Sequence, residues 1–293
     1  MTRLLKGKEA GEALTQKARQ QVTELEKMGV TPTLLVIHVG EDPGNLSYEK
    51  GIEKRCTALG AAFRRLVLPS DLSEEDLLEV IRKANEDREI HGVLLFRPLP
   101  PHLDARRIEN ALLPEKDVDG MTDLSLAGVF AGREVGFSPC TAQACMEILD
   151  YYGIDCCGKH AVVIGRSLVV GKPAAMMLLS RNATVTICHT RTKDLPAIAR
   201  SADILIAAAG KPKIIGKDYM RNGQVILDVG IHAAEGGKLC GDVDGEQAEG
   251  TAAALTPVPG GVGTVTSVVL VCHVIEAALR QTEKRFDDRS GTR

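Results

Sequence analysis

The sequence predicts a two-lobed α/β protein built on parallel sheets, and three observations predict it. Strand-like and helix-like segments alternate along the chain, the order that gives parallel strands joined by right-handed crossovers. The stretch Ala161-Val162-Val163-Ile164-Gly165-Arg166-Ser167-Leu168-Val169-Val170-Gly171-Lys172-Pro173 reads as a buried strand, a glycine-bearing turn and the start of a helix. Tryptophan is absent and aromatic residues make up only 3% against 44% hydrophobic residues, so the core must be Leu, Val, Ile and Ala, as in strands buried on both faces. With 293 residues the chain is long enough for two cores of ordinary size.

The elements follow in order. Residues 9–28 carry apolar positions at helical spacing with charges between them, and Thr33–Val39 is a short apolar run ending at Gly40. A helix is predicted over Tyr48–Leu59 and a strand over Phe63–Leu68. The next helix spans Ser73–Asn85, where Ser73-Glu74-Glu75-Asp76 resembles a capped start, and a buried strand follows over Gly92–Leu95. The pattern restarts near Pro139 with a helix over Ala142–Tyr152, the strand and turn at Gly165, and a helix over Ala174–Leu179. Strand Thr184–Cys188, helix Lys193–Ser201 and strands Ile204–Ala208 and Gln224–Val229 come next. Ser267–Lys284 is a long amphipathic helix expected to pack back on the first lobe. The lobes are therefore residues 1–139 with 267–293, and residues 140–266, with ligands in a cleft beyond the carboxyl ends of the strands.

The net charge is −3 and no run of Lys and Arg marks a nucleic-acid face, so nucleic acid is not an expected partner. The opening residues Met1-Thr2-Arg3-Leu4-Leu5-Lys6-Gly7-Lys8-Glu9 carry charges where a secretory signal needs its apolar run. No uncharged apolar run of about 18 residues follows, so a cytoplasmic protein with no membrane partner is expected. None of the eight cysteines sits in a C-x-x-C pair or has a histidine at ligand spacing, which points to buried thiols in a reducing compartment and to no metal.

A strand that runs through a glycine turn into a helix presents backbone N–H groups to a phosphate. The pattern at Gly165 is G-x-S-x-x-x-G, a departure from G-x-G-x-x-G, so an ordinary strand-to-helix turn is the alternative reading. Arg166 beside the turn suits a ribose 2′-phosphate, which favours NADP over NAD. Three loops rich in Gly and Pro stand elsewhere: Pro98-Leu99-Pro100-Pro101, Lys116-Asp117-Val118-Asp119-Gly120, and residues 256–266. Each alone could be a plain turn; together they look like the walls of a substrate site.

Four motifs carry a specific resemblance. Pro257-Val258-Pro259-Gly260-Gly261-Val262-Gly263, the Lys116–Gly120 motif, Gly165-Arg166-Ser167 with Val170-Gly171-Lys172-Pro173, and Asp228-Val229-Gly230-Ile231 together resemble the methylenetetrahydrofolate dehydrogenase/cyclohydrolase family, in order and over nearly the whole chain. The resemblance implies oxidation of 5,10-methylenetetrahydrofolate by NADP, then hydrolysis of the 5,10-methenyl cation to 10-formyltetrahydrofolate. It further implies a homodimer, tetrahydrofolate derivatives as ligands, and a place in the one-carbon metabolism that serves purine biosynthesis. A Rossmann-like nucleotide lobe is implied in which Gly165, Arg166 and Ser167 match the phosphate loop and Thr190 and Ile231 fall at further cofactor positions. Arg191, next to Thr190, is a second candidate for the 2′-phosphate or else a solvated surface arginine. Asp119 falls at the family's folate-binding aspartate, and a carboxylate can accept two hydrogen bonds from the amidine-like edge of a pterin; the alternative is a turn or capping Asp. Pro259, Gly260 and Gly261 fall in the substrate loop. Tyr48 matches the family's catalytic-site tyrosine, expected to stack on or hydrogen-bond the substrate, or else to be an amphipathic core residue.

Two positions depart from the family. It carries Tyr-x-x-x-Lys on one helix, and here the position four after Tyr48 is Ile52. The flanking Val39-Gly40-Glu41-Asp42-Pro43 and the later Lys54, Cys56 and Gly60 leave no room for a gap that would restore the lysine. It also carries glutamine before Pro-Leu-Pro, and this chain has Phe96. Hydride removal leaves a cation stabilised by its two flanking nitrogens and needs no proton transfer. Hydrolysis needs a positioned acid/base group, which is the group missing. Lys50 and Lys54 point away from Tyr48's face, whereas Arg55 returns to it and Arg97 neighbours Phe96. Either arginine could orient a water, though neither can shuttle its proton. The open readings are a bifunctional enzyme, a dehydrogenase alone, a different two-lobed NAD(P) oxidoreductase, and a folate-binding protein without catalysis.

Overall fold

The computed structural model describes residues 1–40 and 46–290; Glu41, Asp42 and Pro43, part of the alignment around Tyr48, lie outside the described residues. The chain divides into two units, one of Met1–Ala13 with Pro139–Thr266 and one of Leu14–Ser138 with Ser267–Arg293.

The first unit holds a six-stranded sheet in the order β1 (Arg3–Leu4), β11 (Ala254–Leu255), β8 (Val225–Asp228), β7 (Ile204–Ala207), β5 (His160–Ile164), β6 (Thr184–Cys188). Each neighbouring pair is parallel. Its central strands read Ala-Val-Val-Ile and Ile-Leu-Ile-Ala without polar interruption, and the structure buries those residues. Helices α6 (Cys140–Tyr151), α7 (Gly171–Ser180) and α8 (Leu195–Arg200) belong to this unit, as does the short α9 (Gly245–Ala248). Val162, Ile164, Leu205, Ala207 and Ile226 form its core with Ala199, Ala202 and Met220. The order of strands reverses at β5, so the turns after β5 and β7 diverge from a topological switch point, where open α/β sheets take their ligands.

Residues 1–13, expected with the first lobe, group here instead. Arg3 and Leu4 pair with Ala254 and Leu255, and Thr2 Oγ1 donates to the carbonyls of Ala248 (3.1 Å) and Ala252 (2.9 Å). A two-residue strand carries no periodicity, so nothing in the sequence announced it. The antiparallel ribbon of β9 (His232–Ala233) and β10 (Leu239–Cys240) escaped notice for the same reason.

The second unit is built on a three-stranded parallel sheet, with β2 (Thr33–Val39) between β3 (Ala62–Leu68) and β4 (Gly92–Leu95). Helix α1 (Gly7–Lys27) enters it, followed in the chain by α2 (Leu46–Ala58) and α3 (Glu74–Glu86). Ser73 caps α3 by accepting the Asp76 N–H, as its sequence foretold. Two helices lie in stretches to which the sequence reading assigned no element: α4 (Ala105–Glu109), capped by Asp104, and α5 (Asp123–Ala131), capped by Thr122 and ended by Gly132 at φ +62°. Leu35, Ile37, Leu77, Ile81, Val93, Leu95 and Ile108 make the core.

The last helix, α10, runs Val262–Ser290 and so begins five residues before the expected Ser267. Gly263 was read as loop, but it lies in the first turn, where a missing side chain costs little. Val262–Lys284 is apolar and long enough by composition to cross a membrane, yet 67% of its most apolar window is buried inside the protein, as for a core helix. Within the second unit His273 Nδ1 lies 2.9 Å from the Val118 carbonyl and the Arg280 guanidinium sits 4.8 Å over the Phe137 ring. These contacts bring the helix onto the unit it was expected to join. Among the described residues no disulfide links the cysteines, and burial pushes the thiols of Cys56 and Cys145 up to about 12, so both stay protonated.

Candidate active site

Because the six strands run in one direction, the loops after β5, β6, β7, β8 and β11 leave from one edge of the sheet. The turn after β5 is closely packed. Gly165 has φ +138°, and a Cβ there would stand 2.3 Å from the Ala208 carbonyl oxygen, in the turn after β7. A Cβ on Gly171 would stand 2.2 Å from the Gly165 carbonyl oxygen. Only glycine lets β5, its turn and the start of α7 approach this closely. Ser167 Oγ accepts the Val170 N–H at 3.1 Å, and Arg166 and Ser167 are exposed. At the start of α7 the Gly171 N–H reaches Ser167 Oγ at 3.5 Å, the Lys172 N–H donates to the Ser167 carbonyl at 3.0 Å and Pro173 has none, so it is the turn before the helix that would offer backbone N–H groups to an anion. These features fit a dinucleotide phosphate.

The register places the two arginines near each other in the fold. Ile164 and Cys188 are paired across β5 and β6; Arg166 follows one strand end and Thr190 and Arg191 the other. The second turn is fixed by the His189 N–H donating to Thr192 Oγ1 (2.9 Å) and by the Arg191 N–H reaching His189 Nδ1 (3.1 Å). Ile231, exposed beyond β8, lies against Gly263, where a Cβ would come 2.9 Å from its Cδ1. Pro259, Gly260 and Gly261 follow β11. The Gly7 N–H donates to the Gly260 carbonyl at 2.8 Å, and a Cβ on Gly7 would stand 2.2 Å from the Gly261 carbonyl oxygen, so the start of α1 braces this loop.

Sequence reasoning missed the carboxylates that hold these loops. Asp228 accepts N–H groups of Gly230 (3.0 Å), Asp242 (2.9 Å) and Val243 (2.9 Å), while burial pushes its own carboxyl up to about 6. Asp242, fully buried, accepts from Ala209, Gly210 and Lys211 and meets His232 Nε2 at 2.7 Å. The Asp-Val-Gly and Gly-Asp-Val-Asp strings were the available signal.

On the other unit, the Lys116–Gly120 motif divides its labour. Lys116 Nζ, buried, donates to the carbonyls of Ala84 (2.7 Å) and Asp87 (2.6 Å). Asp117 accepts from Met121 N–H, Thr122 N–H and Ser125 Oγ. These two charges build the turn that carries Asp119. Its Oδ2 accepts from Arg97 Nη2 at 2.8 Å, and Arg97 Nη1 lies 3.6 Å from Glu109 Oε1. Burial holds the Glu109 carboxyl above the usual carboxylate range, with Arg97 opposing the rise. Arg97, considered from the sequence as a water-orienting group, is thus engaged by two carboxylates.

Tyr48 lies on α2, 39% exposed, with its ring edge-on to Phe96 at a centroid distance of 6.1 Å. Phe96, just past β4, stacks on His38 of β2 at 4.2 Å and 18°. Ile52, one helical turn beyond Tyr48, is fully buried. Behind the aromatic pair, His38 Nε2 lies 3.3 Å from Glu49 Oε2 without hydrogen-bond alignment, and Glu49 Oε1 accepts from Arg65 Nε at 2.7 Å. This His–Glu–Arg group went unread because its members come from β2, α2 and β3 and meet only in the fold. The structure therefore gathers Tyr48 and Asp119 in one unit, and Gly165, Arg166, Ser167, Thr190, Arg191, Ile231, Pro259, Gly260 and Gly261 in the other.

Comparisons with known proteins point one way. The model of the tetrahydrofolate dehydrogenase/cyclohydrolase catalytic domain matches residues 5–119, and the model of that family's NAD(P)-binding domain matches residues 139–282. The chain is 47% identical over 274 residues to the bifunctional protein FolD of Clostridium kluyveri, covering 94% of this chain and 96% of that one. It is 46% identical over 279 residues to the protein of the same name from Carboxydothermus hydrogenoformans, covering 94% and 97%. The solved structure of the Campylobacter jejuni bifunctional enzyme FolD, a methylenetetrahydrofolate dehydrogenase/cyclohydrolase, superposes with a TM-score of 0.93 at 37% identity, over 96% of this chain and 99% of that one. The Trypanosoma brucei methylenetetrahydrofolate dehydrogenase-cyclohydrolase, complexed with NADP cofactor and inhibitor, superposes with a TM-score of 0.89 at 32% identity, over 96% and 98%.

Proposed function

Because the chain belongs to the tetrahydrofolate dehydrogenase/cyclohydrolase family, we propose that it keeps the first of that family's reactions, the oxidation of 5,10-methylenetetrahydrofolate with NADP, and has lost the hydrolysis of the 5,10-methenyl product. Dehydrogenase chemistry with NADP is the family's. The loss of hydrolysis is carried by one observation: Ile52, at the position of the family's lysine, is fully buried and has no ionisable group, while Phe96 occupies the glutamine position in a stack on His38.

In this reading the turn from Gly165 to Gly171 holds the pyrophosphate, with Arg166 and Arg191 near the 2′-phosphate and Thr190 and Ile231 beside the nucleotide. NADP, when bound, supplies the hydride acceptor. Asp119 accepts from the pterin edge, Tyr48 offers its ring, and Pro259, Gly260 and Gly261 shape the substrate loop. Oxidation asks these residues for position only, since the product cation is stabilised by its own nitrogens. Hydrolysis asks more, because water attacking the cation must give up a proton. His38 and Glu49 lie behind Phe96 with Arg65, and Arg97 is held by Asp119 and Glu109.

The purified protein is expected to form NADPH from methylenetetrahydrofolate and to hydrolyse methenyltetrahydrofolate no faster than the buffer blank. Hydrolysis above the blank overturns the loss, and absence of NADPH formation overturns the dehydrogenase reading. A second expectation concerns cofactor choice. Arg166→Ala should raise KM for NADP about tenfold, the loss of one charge-assisted contact of roughly 1.5 kcal/mol, and leave KM for NAD unchanged. Equal losses with both cofactors would remove Arg166 from the 2′-phosphate. The same reading takes the enzyme to be a cytoplasmic homodimer acting on tetrahydrofolate derivatives, as the family resemblance suggests.

A further inference from the structure

The ion pair of Arg97 and Asp119 joins a candidate substrate residue to one that no motif singles out for binding. The Phe96 N–H donates to the Ile37 carbonyl at 3.0 Å, so the backbone that carries Arg97 is tied to the sheet at its root. At its tip the guanidinium is held from two sides, by Asp119 Oδ2 at 2.8 Å and by Glu109 Oε1 at 3.6 Å. The side chain is nevertheless 29% exposed and that of Asp119 19%, so both groups remain within reach of a ligand. Each Nη carries two N–H groups in one plane, and a carboxylate facing one of them leaves a second direction on the same nitrogen.

We propose that Arg97 is a specificity-determining residue that donates to the C4 carbonyl oxygen of the substrate's pterin ring, so that Arg97 and Asp119 together read its 2-amino-4-oxo edge. The inference rests on the folate reading given above. Along that edge the exocyclic amine at C2 donates, N3–H donates and the oxygen at C4 accepts, side by side. A carboxylate answers the two donors; the third position then requires a donor adjacent to the carboxylate. Arg97, hydrogen-bonded to Asp119 itself, is such a donor, and Glu109 on its far side keeps the planar fork from turning away. Asp119 alone reads only the 2-amino group and N3, where the 4-oxo ring carries a hydrogen and the 4-amino ring a lone pair; it makes no contact with the substituent at C4. A fixed guanidinium does: it meets the oxygen with a charge-assisted hydrogen bond and confronts the amine with N–H against N–H.

Calorimetric dissociation constants of tetrahydrofolate and of its 4-amino-4-deoxy counterpart test this, with NADP as a control for folding. The wild-type protein is expected to prefer the 4-oxo ligand by about 30-fold, within the range of one hydrogen bond to a charged group. Arg97→Leu should bring the two ligands to within about threefold of each other, by weakening the 4-oxo ligand alone, with NADP binding unchanged. Arg97→Lys should keep part of the preference, since it supplies a donor without the planar fork. A merely structural role would weaken both ligands together and keep their ratio, and a wild-type ratio in Arg97→Leu overturns the proposal. If Arg97→Leu fails to bind NADP, Arg97→Lys decides: a reduced ratio supports the proposal and an unchanged one overturns it. Wild-type protein that binds both ligands equally overturns the role of Arg97 alone, whereas wild-type protein that binds neither overturns the folate reading with it.

Discussion

Asp119→Ala is expected to lower kcat/KM for 5,10-methylenetetrahydrofolate about 100- to 1000-fold, the loss of two charge-assisted hydrogen bonds to the pterin worth together roughly 3–4 kcal/mol. The effect should fall mainly on KM, because the pterin edge lies away from the reacting bridge and is held alike in ground and transition states. NADP affinity should stay within about twofold, since every candidate cofactor residue belongs to the other unit. The alanine also leaves Arg97 facing Glu109 alone, so part of the loss belongs to a guanidinium released from its partner. Initial rates of NADPH formation over a range of folate concentrations measure the effect. A reduction under about threefold would take Asp119 out of the substrate site, and a fall in kcat at constant KM would give it a role in the transition state instead.

Gly165→Ala carries the second large effect: NADP affinity is expected to fall by at least about 30-fold. The alanine must adopt φ +138°, a conformation that costs a residue with a side chain about 1–3 kcal/mol. Its Cβ must also find room 2.3 Å from the Ala208 carbonyl oxygen and 3.1 Å from that carbonyl carbon, neither of which can rotate away. Overpacking of this kind costs roughly 1–3 kcal/mol more. The turns after β5 and β7 must separate, and the backbone of the Gly165–Gly171 turn moves with them. Gly210→Ala is the control, in the turn after β7: φ there is +68°, but a Cβ meets nothing within 4 Å, so NADP binding should change little. Calorimetric titration of NADP into both variants checks the contrast, with folate binding as the measure of an intact second unit. Wild-type affinity in Gly165→Ala would mean that the phosphates bind elsewhere.

What was legible in the sequence was what depends on neighbours in the chain. Thr33–Val39, Gly92–Leu95 and Thr184–Cys188 form strands over the residues predicted, because each is a mainly aliphatic or β-branched run with a clear stop. The glycine turn at Gly165 was legible because its chemistry is local. Helix α5 was not, since Asp123–Ala131 is mostly apolar and shows no face; only its Thr122 cap and the Gly132 stop mark it. The strand β1 was hidden by its shortness. In the site, Asp119 could be read from its motif, but its bond to Arg97 spans 22 residues and depends on the end of β4 lying beside the Lys116–Gly120 turn. His38, Glu49 and Arg65 come from three successive elements. Each reads alone as an ordinary polar residue; the parallel pairing of β2 with β3 and the placement of α2 join buried His38 and Glu49 to the more exposed Arg65.

The pairing of β1 with β11 bears on how the molecule is made. The ribosome delivers Arg3 and Leu4 well before the strand they pair with, Ala254 and Leu255. Until then the growing chain can complete the three-stranded sheet of the second unit but not the six-stranded one, whose edge at β8 stays uncovered. The sheet of the nucleotide unit is thus finished only by a closure of 251 residues, the kind of distant contact that forms slowly. A nascent chain that stalls before β11 is left with the four strands β8, β7, β5 and β6 and an open edge at β8, while β1 has no strand to join.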